Sequence, residues 1–193
     1  MASFELIHSF VVLLLGKISE RKFSFIKYIE PMMSITLELA ADVEQLPNEI
    51  FEPLCMQIMR WASDSKYMSD EELGIMLDCS IEGTFNRNNS SLREIASNCI
   101  AEYIKYCLKR SEDKLKVEWL LRKIENSLYD ADIYKRLGSL ISMNKVFRII
   151  REHFDICAER VNQIVSGVLK TLQISEESDM CIMIWAKADE VFI

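Results

Sequence analysis

Glycine and proline are scarce in this chain, five and three among 193 residues. A β-sandwich or barrel needs turn signals every 8–12 residues or so, which so few glycines and prolines cannot supply. The only histidines, His8 and His153, stand far apart, and no Cys-x-x-Cys step occurs. A zinc site built on paired cysteines and histidines is therefore not expected. No phosphate-cradling glycine loop, nucleophile elbow, H-E-x-x-H helix or kinase H-R-D and D-F-G set is present, so the chain offers no catalytic signature, cofactor site or metal site. The apolar run from Phe10 to Leu15 falls far short of the roughly 20 residues that cross a bilayer. Glu5 and His8 precede it where a signal peptide would carry basic residues, so it reads as a buried first helix rather than a leader or membrane span.

What is abundant is apolar residues at helical spacing. Helix pairs are expected to start near Asn48, Ser91 and Ala131, about 40 residues apart, which is the signature of a helical repeat array. Ile50, Phe51, Leu54, Ile58 and Trp61 recur at steps of three and four. Ser69 with Glu72 fits a capping box ahead of Ile75, Met76, Cys79 and Ile81. Residues 83–90 read as a loop. Ser91 with Glu94 is expected to cap a helix carrying Leu92, Ile95, Cys99, Ile100, Tyr103, Ile104 and Cys107, closed by Lys109 and Arg110. A helix from about Glu112 to Leu128 buries Val117, Leu120, Leu121 and Ile124. The third pair spans about 131–152 and 156–172, with Ile133, Leu137, Leu140, Ile141, Phe147, Ile150 and Phe154 on one face. Gly138 falls inside that stripe, at a cost of about 1 kcal/mol against alanine, and so predicts a close approach by a neighbouring helix.

The expected fold is all-α, a HEAT-like α-solenoid of stacked antiparallel helix pairs. Residues 1–47 form less defined N-terminal helices in which Pro31 breaks or begins a helix. Residues 48–193 form the array, with pairs near 48–82, 91–128 and 131–172 and a further helix over 176–191. Val191, Phe192 and Ile193 leave an apolar end where a capping repeat would be polar, so the sequence reads as a piece of a longer array. The six cysteines, Cys55, Cys79, Cys99, Cys107, Cys157 and Cys181, fall in or beside apolar stripes, as free thiols do in a reducing compartment. Asp70, Glu71 and Glu72 suit the positive end of a helix better than a metal.

Charge is uneven. Between Tyr103 and Arg151, 12 Lys and Arg stand against 6 Asp and Glu, while the chain as a whole carries −7. Lys105, Lys109, Arg110, Lys114 and Lys116 gather around one inter-helix turn. Lys135, Arg136, Lys145, Arg148 and Arg151 follow on the third pair. Such side chains neutralise phosphate without regard to base sequence, making them candidates for contact with DNA or an acidic partner. They equally suit a solvated face with carboxylates opposite. Trp119 and Tyr129 fit the margins of apolar stripes better than a base-stacking platform.

Beyond pattern, Phe51-Glu52-Pro53-Leu54 through Trp61, then Ser91-Leu92-Arg93-Glu94 with Cys99-Ile100, and Tyr134-Lys135-Arg136-Leu137-Gly138-Ser139 with Asn144, Phe147, Arg151 and Glu152 carry a resemblance. From about Phe51 onward the chain resembles the helical-repeat cradle of the DNA-dependent protein kinase catalytic subunits, serine/threonine kinases of the phosphatidylinositol-3-kinase-related class. The resemblance implies a nuclear scaffold segment in double-strand break repair by non-homologous end joining. Its implied partners are the Ku heterodimer, DNA ends and neighbouring repeats of a longer chain. The family's kinase domain lies C-terminal to the matching region, so no catalytic residue carries over and this chain is expected not to be an enzyme. The alternative is a free-standing α-solenoid adaptor, akin to a transport receptor, whose acidic flanks hold basic cargo.

Overall fold

A computed structural model describes residues 26–42, 45–64, 68–110, 114–151 and 154–174. Within them the backbone forms seven helices and no strand: α1 (Ile26–Ala40), α2 (Gln45–Ala62), α3 (Asp70–Thr84), α4 (Ser90–Arg110), α5 (Lys114–Ser127), α6 (Ile133–Ile150) and α7 (Phe154–Ile174). The Phe10–Leu15 run, both histidines, Cys181 and the helix expected over 176–191 lie outside the described residues, as does the side chain of Cys157.

Local chemistry sets the helix starts. Ser69 caps α3 through a complete capping box: its hydroxyl accepts the Glu72 amide at 3.3 Å, and the Glu72 carboxylate accepts the Ser69 amide at 2.9 Å. The box expected at Ser91 and Glu94 does not form. Asn89 takes the capping role, its side-chain oxygen accepting the Leu92 amide at 3.0 Å. Asn86 holds the turn in front of it by accepting the amides of Asn88 and Asn89. Ser91 thus falls inside the first turn of α4, and Glu94 instead pairs with Lys145 of α6 at 3.2 Å. Asp132 caps α6 by accepting the Tyr134 amide at 2.9 Å.

Pro31 neither breaks nor begins a helix, because α1 runs through it. The ring stands on the exposed face, where water satisfies the carbonyl one turn back that lacks its donor.

The helices stack in two layers. α1 packs on α3 in one, with α5 joined to α3 through the Lys116–Asp70 and Lys123–Asp78 ion pairs; α2, α4 and α6 form the other; α7 packs on α5 and α6. Across the layers α1 packs on α2, α3 on α4, and α5 on α6. The expected grouping over 48–82 joins α2 to α3, whereas α2 packs chiefly on α1 and α4. Sequence order alone does not choose between the two groupings, since each helix is flanked by amphipathic neighbours on both sides.

Contacts between successive repeats recur at offsets near 45 residues, with Thr171–Leu128 and Lys116–Asp70 at 43 and 46. The Ser97–Ser142 hydroxyl pair (3.0 Å), the Arg87–Asp132 ion pair (2.8 Å) and the Lys123–Asp78 ion pair each join residues 45 apart. A contact that repeats at the repeat length is what an α-solenoid requires, because each unit buries its face on its neighbour. One continuous core results. All seven apolar positions read in α4 are buried, as are Val117, Leu120, Leu121, Ile124 and Leu128 of the next helix and turn. Cys55, Ile58 and Met59 face inward from α2, while Phe51, Leu54 and Trp61 are half-buried at its margin. Cys55, Cys99 and Cys107 are buried free thiols, and Cys79 is half-buried.

Gly138 does what its position predicts. A Cβ there would lie 2.7 Å from the Thr84 carbonyl carbon and 2.9 Å from Phe85 Cδ1, so the start of α6 closes against the end of α3 only because glycine has no side chain.

Candidate interaction edge

The helices of the second layer run parallel. Arg87, just before α4, meets Asp132 at the start of α6, and farther along Ser97 meets Ser142. In the same sense Cys55 lies beside Cys99, and Arg60 in the last turn of α2 reaches Glu102 at 2.8 Å. The C-terminal ends of α2, α4 and α6 consequently share one edge of the solenoid, and each end carries cations: Arg60; Lys105 and Lys109; Arg148 and Arg151. Cations at this end of a helix also offset the negative pole of its dipole.

Tyr106 sits at the centre of the first half of that edge. Arg60, Lys105 and Lys109 approach its ring at 5.4, 5.8 and 5.2 Å from the centroid. Glu102 accepts from Arg60 Nε at 2.8 Å and from Lys105 Nζ at 3.1 Å. Partial burial pushes the Glu102 pKa up, but the hydrogen bonds and charges of Arg60 and Lys105 outweigh it, and the carboxyl is held below its usual range.

The ten basic residues singled out in the sequence separate into distinct environments. Lys109, Arg148 and Arg151 are exposed, with no carboxylate partner among the described residues. Lys105 shares Glu102, Lys116 pairs with Asp70 at 2.9 Å, Lys135 with Asp130 at 3.2 Å, and Lys145 with Glu94. Arg136 is only 4% exposed, its Nη1 donating to the carbonyls of Asp130 and Ala131 at 2.9 Å each. It closes the turn before α6 as Arg93, equally buried, closes the turn before α4 by donating to the Asn86 carbonyl at 2.7 Å. Burial pulls the pKa of Arg93 down. The side chains of Arg110 and Lys114 lie outside the described residues.

Arg60 and Tyr106 are absent from the sequence-derived set although they complete the cluster. The signal for Arg60 was available: the 45-residue offset that relates successive repeats also relates Arg60 to Lys105.

A second feature lies in the other layer. Glu30, Glu38, Asp78 and Glu82 line a groove of about 450 Å³ between α1 and α3, with Leu37, Ile75 and Leu92 among its apolar lining. Burial, and after it the charges of Glu30, Asp78 and Glu82, push the Cys79 thiol pKa up. A thiol held protonated in this way is a poor nucleophile. No group of three or more metal-ligating side chains occurs among the described residues, and no helix among them is long and apolar enough to cross a membrane.

Comparison with known proteins points to one family. The family model described as DNA-dependent protein kinase catalytic subunit, CC1/2, matches residues 25–182. Among curated proteins, the chain is similar to the DNA-dependent protein kinase catalytic subunits of Dictyostelium discoideum (25% identical over 187 residues), Mus musculus (23% over 193) and Gallus gallus (26% over 194). These alignments cover 92%, 93% and 93% of this chain but only 4%, 5% and 5% of the respective relatives.

Proposed function

Because the chain belongs to the DNA-dependent protein kinase catalytic subunit family through its CC1/2 region, we propose that it is a non-catalytic, HEAT-type scaffold segment of such a kinase, acting in the nucleus in double-strand break repair by non-homologous end joining. The observation that carries this reading is the family match over residues 25–182, which takes in all seven described helices of the stacked array. A solenoid of this kind positions other parts and partners, and it leaves chemistry to a domain elsewhere. Under this reading α1 to α7 belong to one repeat array, and the partners are the Ku heterodimer, DNA ends and adjoining repeats. The edge bearing Lys105, Lys109, Arg148 and Arg151 is the face for contact with DNA or an acidic partner. Deleting the segment from the endogenous gene should abolish recruitment of the protein to Ku-bound DNA ends in cell extract and depress end joining. Normal recruitment and normal joining by the deleted form would refute the proposal.

The acidic groove between α1 and α3 favours a second reading, an adaptor that holds basic cargo. A pull-down that enriches basic proteins independently of DNA ends and Ku would support it over the first.

A further inference from the structure

We propose that the shared C-terminal edge of α2, α4 and α6 docks an acidic protein segment rather than a nucleic-acid duplex. This rests on the reading of that edge as a contact face and assigns its occupant. The parallel packing of the three helices places Arg60, Lys105, Lys109, Arg148 and Arg151 along one border, and Glu102 already engages Arg60 and Lys105. Lys109, Arg148 and Arg151 remain as exposed cations without a carboxylate partner among the described residues.

What distinguishes a peptide from a duplex is the negative charge interspersed among those cations. Glu102 lies within the edge and is held ionised by its neighbours. Glu71, in the first turn of α3, lies at the same end, between Asp70, which Lys116 already pairs, and Glu72, which the Ser69 cap holds. A duplex carries one negative charge per roughly 1.7 Å of axis and cannot skip these carboxylates. A polypeptide places its Asp and Glu residues discretely and can set neutral or basic side chains opposite Glu102 and Glu71. Tyr106 offers no stacking platform for a base, since Arg60, Lys105 and Lys109 surround its ring at 5.2–5.8 Å.

The test uses the purified 193-residue chain and two fluorescein-labelled probes, a synthetic Glu/Ser/Ala peptide with carboxylates at helical spacing and a DNA duplex, at an ionic strength of about 0.15 M. The peptide should bind more tightly than the duplex. The combined charge reversal Lys109→Glu, Arg148→Glu and Arg151→Glu should weaken peptide binding about tenfold, the sum of several modest exposed ion pairs. Lys135→Gln, at the opposite end of α6, should leave it unchanged. Tighter binding of the duplex, or peptide affinity unaltered by the triple reversal, would overturn the proposal. Neither outcome bears on recruitment to Ku-bound ends, so the scaffold reading stands or falls separately.

Discussion

Replacing Gly138 with alanine sets two calculable effects against each other. In a helix interior alanine is favoured over glycine by about 0.5–1 kcal/mol. Against this, the new Cβ would sit 2.7 Å from the Thr84 carbonyl carbon and 2.9 Å from Phe85 Cδ1, where contacts settle at about 3.5 Å or more. The obstacle at Thr84 is backbone, with the carbonyl oxygen nearer still than its carbon, so α6 and the end of α3 must separate by roughly 1 Å or more. Overpacking of this kind costs about 1–3 kcal/mol. One turn farther along α6, Ser142 bonds both the Gly138 carbonyl (2.8 Å) and Ser97 of α4 (3.0 Å), so the displacement also strains a buried inter-repeat bond that contributes about 1 kcal/mol. The net expectation is a loss of about 1–3 kcal/mol, or roughly 2–4 °C in Tm per kcal/mol for a chain of this size. Gly74→Ala in α3 is the matched control, since no atom lies within 4 Å of its Cβ position, and it should gain about 0.5–1 kcal/mol. Urea titration followed by far-UV circular dichroism measures both. If Gly138→Ala proved as stable as the parent or more so, the close approach of α6 to α3 would be refuted.

Further expectations concern capping, a buried ion pair and pH. Ser69→Ala should lower stability by about 1 kcal/mol in the same titration, whereas Ser91→Ala, which removes no cap, should change it little. Arg160, 6% exposed, donates to both oxygens of Glu125 at 2.8 and 2.9 Å, so Arg160→Met alone should cost about 3–5 kcal/mol by stranding a buried carboxylate. Adding Glu125→Leu to it should recover most of that loss, and failure to recover would show that the two side chains act independently. Glu102 has a depressed pKa in the folded state, so its contribution is present above the unfolded carboxylate value of about 4.3 and lost as pH falls through the lower folded value. Glu102→Gln should therefore flatten the fall in Tm below about pH 4.3, and an unchanged acid profile would contradict the pairing with Arg60 and Lys105.

Much of the local structure was legible because it is written in short-range chemistry. Ser69 and Glu72 satisfy each other across three residues, and a glycine inside an apolar stripe at Gly138 has few explanations besides close packing. The stripes of α4 and α5 were readable from period alone. Errors arose where two local solutions compete. Asn89 and Ser91 are both good caps, and the Asn86 turn, together with the Arg93 anchor, decides for Asn89. Pro31 argues against a helix interior until its exposed placement is known. The basic edge was half legible: charge density marked Lys105 and Lys109, but Arg60 sits in an acidic stretch and reaches the cluster only through the parallel packing of α2 on α4. Arg136 is indistinguishable in sequence from a surface cation, and only its bonds to two turn carbonyls show that it is a buried clamp.

The central claim is that these helices are a scaffold segment of a repair kinase, and the most direct measurement is the extent of the native product. Reading the full-length transcript and determining the mass of the polypeptide recognised by an antibody to residues 68–110 would decide it. The account predicts a single very large polypeptide in which this segment represents a few per cent of the length, with a kinase domain C-terminal to it. A stable native product of about this chain's 22.5 kDa would contradict it and leave the adaptor reading in its place.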